Sequence, residues 1–182
     1  MKKYLVLALC LLILTVGHAQ NYTEYFANKT LRVDYIFTGD ASCQNVCLDE
    51  LSVLPSWAGR HQHLAELPLQ GNGQIIMKDL ESGKTVYTTS FSSLFQEWLE
   101  TDEAKVVSKG FENTFLLPYP LRPVEIEITL LSPKKEVRTC LKHTVRPDDV
   151  LIHQKGTAHI TPHKYLLKSG ETDKCIDVAI LA

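Results

Sequence analysis

The stretch "VEIEITLL" alternates without a break: Val124, Ile126, Ile128 and Leu130 fall on one side of an extended chain, and Glu125, Glu127 and Thr129 fall on the other. A period of two belongs to a strand with one buried and one solvated face, whereas a helix repeats every 3.6 residues. "TLRVDYIFTG" carries the same signal, with Leu31, Val33, Tyr35 and Phe37 opposite Arg32, Asp34 and Thr38. "QIIMKDL", "ESGK" and "TVYTTSF" read as strand, glycine-containing turn and strand, and "VEIEITLL", "SPKK" and "EVRTCLKHTV" read as a second hairpin. The one helical signal is "TDEAKVVSKG", where Thr101 suits a cap, Asp102 and Glu103 a first turn, and Gly110 a stop. Short strands separated by turns predict an all-β fold, a mainly antiparallel β-sandwich with one short helix.

The second hairpin also predicts a register. A four-residue loop from Ser132 to Lys135 sets Leu131 opposite Glu136. On one face Thr129 then meets Arg138, Glu127 meets Cys140 and Glu125 meets Lys142. On the other face Leu130 meets Val137, Ile128 meets Thr139 and Ile126 meets Leu141. A one-residue slip would move every side chain to the wrong face.

At the N-terminus, Lys2 and Lys3 precede an apolar run from Tyr4 to Val16, and Gly17 and Ala19 supply small residues for cleavage. This reads as a signal peptide over residues 1–19, too short to span a bilayer comfortably. The mature chain of 182 − 19 = 163 residues suits one domain, exported to the periplasm, cell surface or exterior. Without the two leader lysines the balance is 19 − 2 = 17 basic against 21 acidic residues. With no basic patch standing out, nucleic acid is not expected as a partner, and once the leader is cut no membrane partner is expected.

Cys43, Cys47, Cys140 and Cys175 remain after cleavage, too few to be the main scaffold of a domain this size. On one strand Cys43 and Cys47 lie about 13 Å apart by strand rise, too far to bridge each other. Free thiols or pairs with other cysteines both stay open, and the favoured reading is small buried hydrophobes.

From His153 the sequence turns polar and aperiodic, with Gly156, Pro162 and Gly170, and reads as a linker over 153–174 that follows a sandwich over 20–152. Residues 175–182 then form a short apolar run, the pattern of a strand buried on both faces in a parallel sheet. Such a strand needs neighbours on either side.

Few residues suggest chemistry. In "RHQHLAE", His61 and His63 would share a face on a strand, with Glu66 close behind, and these three are the weak metal candidates. The competing reading is a loop after Pro55, Trp57 and Gly59 whose histidines are solvated, and two nitrogens without a defined third ligand favour it. His153, His159 and His163 fall in the linker. Trp57, Trp98 and Tyr119 invite comparison with a sugar-stacking platform. Leu94, Phe95, Trp98 and Leu99 instead cluster as a buried patch would, which favours core packing. No G-x-S-x-G, phosphate-cradling glycine loop or Cys–His pair is legible, and "NYT" and "NKT" are treated as chance glycosylation matches.

Several long stretches carry a resemblance: "YFANKTLRVDYIFTG", "LDELSVLPSWAGRHQHLAELPLQGNGQI", "SFSSLFQEWLETDEA", "FENTFLLPYPLRPVEI" and "PDDVLIHQKG". Together they resemble the N-terminal domain of the M64 peptidases, exported bacterial zinc metallopeptidases also called IgA peptidases. The resemblance implies that residues 175–182 open the catalytic domain, the partner normally found in the same chain. It also implies zinc in the full-length enzyme. Zinc endopeptidases of this type use H-E-x-x-H, two histidines one helical turn apart and a glutamate base. No His-Glu dipeptide occurs in this sequence, so no catalytic, cofactor or metal residue is carried over. The chain as given is expected to be a non-catalytic accessory domain without a cofactor. The alternative is an independent sandwich module that binds glycan or protein.

Overall fold

A computed structural model describes residues 21–67, 71–131, 136–156, 164–170, 175, 178 and 180. The expected signal peptide lies outside these residues, as does most of the expected closing strand. Cys175, Val178 and Ile180 are exposed and in no strand.

The chain opens with a one-turn helix, α1 (Tyr22–Tyr25), capped by the Asn21 side chain, and runs into β1 (Phe26–Gly39) and β2 (Gln44–Leu54). Next come the hairpin β3 (Gly73–Asp79) and β4 (Thr85–Phe91), the short helix α2 (Leu94–Trp98) and a 3₁₀ turn (Glu103–Lys105). The last strands are β5 (Lys109–Pro120), β6 (Val124–Leu131), β7 (Val137–Val145) and β8 (His153–Gln154). They form two four-stranded sheets, ordered β5-β1-β2-β8 and β4-β3-β6-β7. All pairings are antiparallel except β2 with β8. The expected sandwich is therefore the observed architecture.

Alternation decides what is buried. Leu31, Val33, Tyr35 and Phe37 on β1 face Ile75 and Met77 on β3 and Ile126, Ile128 and Leu130 on β6, each at most 1% exposed. Such paired inner faces fill a sandwich core. Phe91, Phe95, Phe111 and Phe115 gather around or near Phe37 and close one side, with Phe91 and Phe115 ring centroids 4.6 Å apart. Thr88 on the edge strand β4 donates its amide to Leu64 (2.8 Å), so the loop over 55–66 shields that edge from strangers.

Four readings need correction. The helix expected around "TDEAKVVSKG" is only the 3₁₀ turn, because β5 claims Lys109 and Gly110 for pairing with β1; the regular helix is α2, capped by Ser93. Leu94 is 71% exposed and lies outside the patch that Phe95, Trp98 and Leu99 form. Cys43 and Cys47 are exposed rather than buried, one in the turn before β2 and the other opposite Ile36 on the outward face. All four described cysteines are free thiols, and Cys140 alone packs on the core.

The hairpin register is the fourth correction. Leu131 opposes Val137, not Glu136, so the tip slips by one residue. The ladder then shifts again between Ile128 and Thr129, leaving Cys140 unpaired as an extra residue on β7. The extra residue restores the faces that the slip would have inverted. Ile128 thus meets Leu141, Ile126 meets His143 and Glu127 meets Lys142. The inner face of β6 is the expected one, while its partners sit two residues further along β7.

The sheet also runs past Ile152, where the sequence reading ends the sandwich. Ile152 is buried, His153 and Gln154 pair with Ser52 and Val53, and the Lys155 amide donates to Val53 (3.2 Å).

Candidate functional site

The weak metal candidates lie in the loop over 55–66, which the core holds in place. Trp57 is buried against Tyr87 and donates from Nε1 to the carbonyl of Arg60 (3.0 Å). Arg60 stacks its guanidinium 5.1 Å over the Tyr87 ring and donates to the carbonyls of Leu64 (3.1 Å) and Thr88. Anchored this way, the loop sends its histidines apart. His61 packs on the Tyr22 ring at 4.3 Å, while His63 Nδ1 lies 3.0 Å from Glu66 Oε1 on the exposed side. His63 has a left-handed backbone, φ 53°, which turns the chain between the two. Among the described residues no group of three or more His, Cys, Asp or Glu side chains converges. Of the histidines from the linker reading, His153 lies 3.3 Å from Glu50, and His159 and His163 lie outside the described residues.

The aromatic candidates do not form one platform. Trp57 belongs to the core, Trp98 packs on Phe95 and Phe111 beside α2, and Tyr119 at the other end of β5 donates to the carbonyl of Pro147 (2.7 Å).

The polar groups that do converge are structural in geometry. On the outer face of β3, β6 and β7, Glu127 accepts from Lys78 (2.7 Å) and Thr139 (2.9 Å) and pairs with Lys142 (3.1 Å). The Lys78 bond leads the set that holds its carboxyl down to about 2. On the other sheet Arg32 Nε donates to both oxygens of Asp34 (3.0 Å each) and Thr114 donates to one of them (2.5 Å). Burial opposes charge on Asp34, but these hydrogen bonds outweigh it and keep the carboxyl below its usual range. Both clusters flatten strongly held ion pairs onto sheet faces, and neither sets a nucleophile beside a base.

Sequence reading missed one inward pair. Tyr35 Oη and His143 Nε2 lie 2.7 Å apart between the sheets, and the rings meet edge-on. The alternation of β1 marks Tyr35 as buried, and the expected register already sets His143 on the apolar face; the observed register changes its partner to Ile126. Burial raises the Tyr35 phenol and lowers the His143 imidazole, so both are neutral at physiological pH.

One shallow groove of about 390 Å³ lies between the β3–β4 and β5–β6 turns, lined by Asp79, Leu80, Glu81, Arg122 and Pro123. Among the described residues no helix is long and apolar enough to cross a membrane.

The family model described as peptidase M64 N-terminus matches residues 21–142, from the cap of α1 into β7. No curated protein matches the chain. The match spans α1, β1 to β6 and the bulged part of β7, and the chain belongs to the peptidase M64 N-terminal domain family.

Proposed function

We propose that this chain is the non-catalytic N-terminal accessory domain of a secreted M64-type zinc metallopeptidase, one that supports folding of the catalytic domain or shapes access to it. The family match over residues 21–142, in a sequence without a His-Glu dipeptide, carries this reading. A zinc endopeptidase needs two histidines a helical turn apart, a third ligand and a carboxylate base. The described residues do not fit that metal: His61 turns to Tyr22, leaving His63 and Glu66 as an exposed pair without a third donor. Secretion is inferred from the apolar Tyr4–Val16 stretch behind Lys2 and Lys3.

Two measurements test the reading. Purified chain should leave casein and immunoglobulin intact with or without added zinc, and chelator-sensitive cleavage by it would overturn the assignment. The reading frame beyond Ala182 should continue into a segment with H-E-x-x-H.

A further inference from the structure

Both ends of the sandwich expose apolar side chains. Leu80 in the β3–β4 turn, Leu121 in the β5–β6 turn and Leu151 before β8 mark one end; Leu94, Val106 and Val137 mark the other. Chain direction distinguishes them. β8 runs parallel to β2, and β2 finishes at Leu54, opposite Thr30 near the start of β1. β8 therefore points toward the end that carries Leu80 and Leu121. There the turns are fastened together: Leu80 donates its amide to Pro123 (3.0 Å) and Leu121 donates to Tyr25 (2.8 Å).

Between these turns lies the groove of about 390 Å³. Of its charged groups, Asp79 and Arg122 are engaged within the domain, while Glu81 is exposed in the β3–β4 turn. Asp79 accepts from the Ser82 amide (2.8 Å) and hydroxyl (2.6 Å), while Arg122 lies 5.3 Å over the Tyr25 ring and donates to the Glu24 carbonyl (3.3 Å). Leu80, Leu121 and Pro123 are thus left to meet an apolar partner. Full-length M64 peptidases carry a catalytic domain after this one in the same chain. A partner tethered in the same chain docks at high effective concentration.

We propose that the Leu80–Leu121–Pro123 end of the sandwich is the docking surface for the catalytic domain that follows it, an inference that rests on the accessory-domain reading above. The test uses the full-length protein, with Leu80→Asp and Leu121→Asp together, and Leu94→Asp and Val106→Asp together at the opposite end as the comparison. Calorimetry should show the two domains of the first variant melting in separate transitions, while the second variant melts like the parent. Amide exchange should quicken in residues 80–84 and 121–123 of the first variant while β3 and β6 keep their protection, which separates undocking from misfolding. Parent-like melting and exchange in the first variant, or separation in the second, would overturn the docking surface and leave the accessory-domain reading standing. A reading frame with no catalytic domain would sink both.

Discussion

Tyr35 and His143 tie the two sheets together, with Oη and Nε2 2.7 Å apart between β1 and β7. Burial holds the imidazole below its ordinary range, and the facing phenol, pushed upward by its own burial, stays neutral throughout. The unfolded chain takes up this proton near pH ~6.5, more readily than the folded protein. Stability from this site is therefore complete above that value and falls as pH drops through it. The unfolding midpoint should decline as pH falls below about 6.5. His143→Gln should flatten that slope, and an unchanged slope would dismiss the pair as its source.

Glu127 should be costly to remove despite facing outward. Its carboxylate separates Lys78 and Lys142, which it meets at 2.7 and 3.1 Å, and its side chain is only 12% exposed. Glu127→Ala should destabilise by about 1–2 kcal/mol in denaturant unfolding, since partly exposed lysines limit the loss. Ile128→Ala, which opens a hole in the core, should cost about 2–5 kcal/mol. With its carboxyl near 2 when folded, Glu127 contributes stability above its unfolded value of 4.5 and loses it as pH falls toward 2. Glu127→Gln should remove that part of the acid transition.

Gly39 closes β1 with φ +138°, and a Cβ there would stand 1.9 Å from the Cys43 carbonyl oxygen. Gly39→Ala should cost at least about 1–3 kcal/mol through strain and displacement of the 40–43 turn. At Gly110 the nearest atoms to a Cβ are at 3.5 and 3.6 Å, so Gly110→Ala should fit without a clash. Thermal unfolding of both variants checks the ranking.

Truncation should distinguish the last residues of the fold. A chain ending at Lys155 keeps β8 and the Lys155–Glu50 contact (2.9 Å), and should unfold at the parent midpoint. Ending at Ile152 removes both and bares the edge of β2. The midpoint should then fall by a few degrees, on the order expected for about 1 kcal/mol. Equal midpoints would place β8 outside the cooperative unit.

Period-two alternation in "TLRVDYIFTG" and "VEIEITLL" was enough to assign those two strands and their buried faces, because burial of one face follows from side-chain geometry alone, whereas β2 and β5, the partners of β1, were not read from the sequence. Family resemblance was legible for a related reason: the matched stretches include turns and loops that the fold itself does not dictate. The register of β7 was not legible. Cys140 is absorbed as an unpaired residue through the summed packing of Ile128, Leu141 and His143 against the opposite sheet, and no local pattern encodes that sum. Where His61 and His63 point was not legible for a similar reason, since the Trp57 and Arg60 anchors, set by β4, decide it. Spacing along a chain determines which side chains share a strand face; which side chains meet across a core depends on twist, bulges and anchored loops, which only the tertiary structure fixes.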